Sequence, residues 1–318
     1  MMRHVNIPLL PATNHSGAPE YIVAALDRRW RRFLIELRKN RRRRTERGIH
    51  DLRVSIRRLI AVLDLAVLIV PDAVRPRLRK SMAAALRSFS PLRDLHIQIL
   101  GLASLRRQFP VVVLLVVALR VRERMLVREA GQAIARVNVE AVGRDITRVQ
   151  TEILSASGDA AFAAAMNAIL VGAAARRFLR VHERYRQLTA SDLRSLHRMR
   201  VAFKRFRYTI EALQPLLPGV TRERLKEMNA FQDLMGAIQD TEVVTAAVER
   251  GRPAAARGGS TLLLRQHLAL RRRELVETFL PEARKFLVFW PSPSGEPVAH
   301  RKRVQSHESL HYSSRYRR

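Results

Sequence analysis

The feature that most constrains this chain is that it reads twice. His50-Asp-Leu-Arg-Val-Ser-Ile-Arg-Arg-Leu59 returns 147 residues later as His197-Arg-Met-Arg-Val-Ala-Phe-Lys-Arg-Phe206. The match extends outward. Arg31-Arg-Phe-Leu34 recurs as Arg176-Arg-Phe-Leu179, Lys80 and Met82 as Lys226 and Met228, and Arg93-Asp94-Leu95 as Gln239-Asp240-Thr241. The offset drifts by one or two residues, which loops absorb. A long-period repeat of this kind means that each half is one structural unit and that the fold is a duplicated pair.

The units are helical. Apolar residues recur at helical spacing in every long segment, and no stretch alternates with a period of two between turn signals. The spacing predicts helices over 19–44, 48–70 (stopped by Pro71), 76–89 (broken at Pro91), from there to Arg107, and 112–154. After a break at Ser155–Asp159 come 160–188, 191–214, 221–236, 238–250 and 261–289, with Gly251–Ser260 as a loop. Residues 1–17 read as a loose segment. Residues 18–290 form the folded domain, with a first bundle over 18–157 and a second over 158–290. Residues 291–318, basic and without apolar periodicity, are expected to be a disordered tail. The apolar run Phe109–Leu119 is shorter than the roughly 20 residues a membrane span needs and reads as a buried helix segment. No leader-like N-terminal segment is visible, and a cytoplasmic protein is expected.

On a helix at about 100° per residue, His50, Arg53 and Arg57 share one stripe with Arg58 on its shoulder, and Leu52, Ile56, Leu59 and Leu63 form the opposite face. The second copy repeats this. His197, Arg200, Lys204 and Tyr208 share a stripe, Met199, Phe203, Phe206 and Ile210 oppose it, and Arg207 flanks the apolar face near Phe203. A basic stripe on an amphipathic helix is ordinarily its solvated side. Two facts argue otherwise here. The stripe recurs in register in both halves, and only Asp51 and Asp64 interrupt the run from His50 to Asp64, where a solvated face mixes signs. With 59 Lys and Arg against 28 Asp and Glu, a net charge of +31, unpaired cations repel one another and attract a polyanion.

The doubled motif His-x-x-Arg-Val-x-x-[Arg/Lys]-Arg resembles the CHAD family, the conserved histidine α-helical domain. The second copy, running on through Lys-Arg-Phe-Arg-Tyr-x-x-Glu, is the fuller match, and the likeness spans about residues 18–290. The resemblance implies an all-α fold of two four-helix bundles related by a pseudo-twofold axis, with the His-bearing helices lining a central basic cleft. It implies binding of inorganic polyphosphate and association with polyphosphate granules. Carried over by position, the ligand contacts are His50, Arg53, Arg57 and Arg58 in the first half. In the second they are His197, Arg200, Lys204, Arg205, Arg207 and Tyr208. Ile60 and Ala61 stand where Arg207 and Tyr208 do, so the first half holds a thinner share.

The chain has no cysteine, which excludes disulfides, thiolate nucleophiles and cysteine-ligated zinc. No phosphate-cradling glycine loop or nucleophile elbow appears. Asp94 and Asp240 are isolated in sequence and are expected to cap helices or pair with arginine. His307 and His311 are spaced like metal ligands but sit in the Ser-rich tail. The expectation is a binding protein that is not an enzyme and needs no metal or cofactor. The other reading is a nucleic-acid-backbone binder, gripping through the cluster Arg38–Arg47 and the tail His300–Arg318. A third is an interaction protein docked on storage granules by an apolar face. Oligomeric state and polyphosphate chain length have no signature in the sequence.

Overall fold

A computed structural model describes residues 17–71, 76–251 and 259–290. The expected loose N-terminal segment and basic tail therefore fall almost entirely outside the described residues. Those residues contain ten α-helices and no strand: α1 (Ala18–Arg42), α2 (Glu46–Ile69), α3 (Pro76–Ser88), α4 (Ser90–Ser104), α5 (Val112–Ala135), α6 (Val139–Ala156), α7 (Ala160–Arg186), α8 (Leu193–Leu213), α9 (Arg222–Arg250) and α10 (Gly259–Glu282). Two short 3-10 segments follow α8 and α10.

The repeat maps α1 onto α7, α2 onto α8 and the α3–α4 pair onto α9. The copies differ where the sequence differs. Pro91 lies in the first turn of α4; its ring has no N–H to donate and clashes with the preceding turn, so the helix breaks there. The second copy has Ala237 at the matching place, and α9 runs through for 29 residues. The two helices expected over 221–236 and 238–250 are thus one. The region expected as a single helix over 112–154 is conversely two. Asn138 starts α6 by accepting a hydrogen bond from the Ala141 N–H at 2.9 Å, which reverses the chain.

The apolar faces read from the sequence are the core. Leu52, Ile56, Leu59 and Leu63 on α2 and Met199, Phe203, Phe206 and Ile210 on α8 are all fully buried. Side-chain caps fix where the two histidine helices begin. Thr45 accepts from the Gly48 N–H at 3.0 Å and Asp192 from the Arg194 N–H at 2.9 Å, satisfying donors a helix start otherwise leaves open. The main buried cluster takes residues from both halves without interruption.

α2 packs on α8 and α4 on α9, and α1 and α2 both also reach α7 across the seam. Gly101 permits the α4–α9 contact: a Cβ there would lie 2.5 Å from Val244 Cγ2. Ionic contacts cross the seam reciprocally. Asp64 on α2 is paired with Arg177 on α7 at 3.1 Å. Its repeat mate Glu211 on α8 is paired with Arg29 on α1 at 3.1 Å and Arg58 on α2 at 2.7 Å.

The apolar run Phe109–Leu119 corrects the sequence reading. Val112 and Leu115 are buried, but Val113, Leu114 and Val117 are 51%, 66% and 58% exposed. Only one face of this helix meets the core.

Candidate functional site

Because α2 lies against α8 and α4 against α9, the two basic stripes face a common trough of about 730 Å³. Into it project His50, Arg53, Arg57 and Arg58 from α2 and His197, Arg200, Lys204, Arg207 and Tyr208 from α8. Arg205 does not line it. The helix turns Arg205 outward to solvent, and its charge reaches the trough only at longer range, as one of the cations that disfavour a charged Lys204. Nine of the ten residues singled out by sequence are thus brought together, from helices 147 residues apart.

Their individual settings differ. Arg53 is buried and anchored: its Nη1 donates to the Leu86 carbonyl at 2.9 Å and to Ser90 Oγ at 3.0 Å. Arg207 is also buried, donating through Nε to Gln232 at 3.0 Å and through Nη1 to Glu211 at 3.3 Å, with its guanidinium 4.3 Å from the centre of the Tyr208 ring. It fixes the wall as much as it lines it. Glu211 also holds Arg58. By contrast, Arg57, Arg200 and Lys204 have no ion pair within 4 Å among the described residues. The Nε of Arg200 is buried with no hydrogen-bond partner at all.

Electrostatics follow from this crowding. Burial, then Arg57, Arg200 and Arg53, push the Lys204 ammonium down to about 7. Burial and Arg57 bring Arg53 down to about 10. Arg200 is lowered mainly by burial, with Arg57 adding repulsion. The same forces act on His50, lowered first by burial and then by Arg93. A group of cations that suppress one another's charge is short of an anion.

Sequence reasoning missed the opposite wall. Arg93, Asp94 and Ile97 on α4 and Asn229, Gln232, Asp233, Gln239 and Asp240 on α9 complete the trough. Asp94 and Asp240 cap no helix: both lie inside one, facing the trough. Burial raises both carboxyls, offset in Asp94 by Arg53 and Arg93 and in Asp240 by Arg200 and Arg93. The signal was present in the repeat itself, where Arg93-Asp94 aligns with Gln239-Asp240. It also explains an asymmetry. His197 Nδ1 makes a short hydrogen bond with Gln239 Oε1, whereas His50 faces the repeat mate of that glutamine, Arg93, and is repelled. No group of three His, Asp or Glu side chains converges into a metal-holding set among the described residues.

A family model described as "CHAD domain" matches residues 21–249. The crystal structure of the CHAD domain from the plant Ricinus communis superposes with a TM-score of 0.60 at 19% identity, covering 84% of this chain and 91% of that one. PptA from Streptomyces chartreusis superposes with a TM-score of 0.52 at 17% identity, covering 84% and 99%. No curated protein sequence matches significantly.

Proposed function

The chain belongs to the CHAD domain family, and from that premise together with the trough we propose that it binds inorganic polyphosphate and catalyses no reaction on it. The supporting observation is that Arg57, Arg200 and Lys204 share one trough with no acid within 4 Å among the described residues. Polyphosphate is a flexible string of near-identical anionic units, so recognition needs repeated cations on a rigid surface. Side chains one turn apart on a helix rise about 5.4 Å, a spacing that lets α2 and α8 each grip successive or alternate phosphates. Arginine suits the task because its planar fork donates two hydrogen bonds to one phosphate. Lys204 supplies a point charge, and the histidines and the Tyr208 hydroxyl supply further donors. The acids on α4 and α9 bias the chain toward the α2–α8 side. The cytoplasm and the surface of polyphosphate granules are the proposed locations.

The trough argues against nucleic acid as its occupant. A duplex, whose major groove alone is about 12 Å wide, is too large for it. Single-strand binding relies on stacking platforms, and the lining has no Phe or Trp and one Tyr, Tyr208, which is buried. The exposed arginines around the α1–α2 turn remain open to any backbone.

Titration calorimetry tests the proposal. Below its depressed value near 7, Lys204 is charged with or without ligand; above it, the free protein holds a neutral amine that an anion re-protonates. Affinity is therefore expected to fall as pH rises from 6 to 9, with proton uptake seen as a dependence of the heat on the buffer's ionisation enthalpy. Duplex DNA at equal phosphate concentration is expected to displace little polyphosphate, and phosphate release with magnesium to stay at background. Full displacement by DNA, or steady phosphate release, would refute the reading.

A further inference from the structure

The apolar run in α5 is left unexplained by the trough. Val113, Val117, Val121 and Met125 recur every fourth residue and are 51%, 58%, 61% and 58% exposed, with Leu114 beside them at 66%. Twelve residues along a helix make a stripe about 18 Å long. Beneath its first half lies a small separate core, where Val112 and Leu115 meet Leu102 of α4, Val244 and Val248 of α9, and Leu264 and Leu268 of α10. The stripe thus stands on a rigid base formed where four helix ends converge. Leu262 and Leu263, at the start of α10, are also more than half exposed. Single exposed apolar residues are ordinary, but an ordered stripe is not.

Its border is cationic. Arg106 and Arg107 precede the stripe, and Arg122, Arg124 and Arg128 emerge around its second half, all exposed. None of these five has an ion pair among the described residues. Of the acids on α5, Glu123 is engaged by Arg120 at 2.8 Å and His96 at 3.1 Å, and Glu129, exposed one turn past Met125, is outnumbered by the arginines around it. Apolar side chains rimmed by free arginines match the layered chemistry of an anionic bilayer, acyl chains beneath phosphates. A second copy of the chain fits poorly, because pairing this face with itself sets the same arginines against each other on chains of net charge +31.

We propose that the exposed face of α5 docks the protein peripherally on anionic phospholipid membranes, with Val113, Leu114 and Val117 entering the acyl boundary and the flanking arginines lying at the phosphates. No described helix is long and apolar enough to cross the membrane, so the contact is interfacial. It is independent of what occupies the trough.

A protein this basic will adhere to anionic vesicles by charge alone, so the test must read insertion at one position. The chain has no cysteine, which allows a single Leu114→Cys carrying an environment-sensitive fluorophore. Arg222→Cys serves as the control; it starts α9, roughly 40 Å along that helix from Val248. The expected result is a blue-shifted, brightened signal at position 114 on phosphatidylcholine–phosphatidylglycerol vesicles, none at 222, and none on phosphatidylcholine alone. Val117→Asp with Val121→Asp, both at exposed sites, should reduce co-sedimentation at high salt at least fivefold. A silent fluorophore at 114 on a protein that still co-sediments would overturn the proposal. So would equal insertion into phosphatidylcholine alone, or a blue shift that needs only more protein, which would mark the face as a contact between copies.

Discussion

Replacing Arg53, Arg57, Arg200 and Lys204 together by alanine is expected to weaken polyphosphate binding by about a thousandfold or more. A hydrogen bond to a charged group contributes roughly 1.5–3 kcal/mol, and about 1.4 kcal/mol is a factor of ten; even the low end, summed over four side chains, exceeds four decades before allowance for non-additivity. The variant is expected to fold. Arg53 gives up its bonds to Leu86 and Ser90, a local loss, while removal of four mutually repelling cations relieves the trough. Lys204 sets the sign of that relief. Its value of about 7 lies below the ordinary 10.5, so the unfolded chain binds the proton more readily. The resulting destabilisation is full below pH 7, declines from pH 7 to about 10.5 and is gone above. The ligand-free variant should therefore gain most in melting temperature relative to the parent in acid. Calorimetry of binding and a pair of melts at pH 6 and 9 check both statements. Binding within tenfold of the parent would remove the trough from the account.

Glu211→Ala is expected to have the largest effect on stability. Its carboxylate, 12% exposed, holds Arg29, Arg58 and Arg207 at once. Removing the shared partner of such a group costs toward the lower end of about 3–5 kcal/mol, because Arg207 stays desolvated while Arg29 and Arg58 keep some water. For a chain of this size that lowers the melting temperature by roughly 5–10 °C. Polyphosphate should restore more stability to this variant than to the parent, since Arg58 and Arg207 are then free to take phosphate. A melting temperature unchanged within error, with or without polyphosphate, would show that the ion network contributes nothing.

Most of the fold was legible from the repeat. Two helices whose apolar faces match residue for residue must be buried alike, and Ile56 and Phe203, or Leu63 and Ile210, are fully enclosed as their spacing requires. What misled was local. Pro91 predicts a break, but nothing in a repeat says that its mate Ala237 removes it. Asn138 is a cap inside a run that otherwise reads as helix. The run Phe109–Leu119 is apolar on all sides, so periodicity cannot say which side meets the core. The trough was half legible. Stripes are visible because one helix carries them, and so α2 and α8 declared themselves. The wall from α4 and α9 was marked in the sequence only at Arg93-Asp94 and Gln239-Asp240, by the repeat; the rest shows when tertiary packing sets Gly101 against Val244. Arg93, Gln232 and Gln239 stand on faces of mixed polarity that no helical period distinguishes. Arg205 sits one residue past Lys204, and a turn of about 100° takes it out of the trough; a motif read as a string cannot register that rotation.

An anion is expected to lie between α2 and α8, against Arg57, Arg200 and Lys204. In a crystal of the protein soaked with a short polyphosphate, a row of phosphates should run along the trough, within hydrogen-bond distance of those three side chains and turned away from Asp94 and Asp240. Phosphates found instead on the outer arginines of the α1–α2 turn, with the trough holding only water, would contradict it.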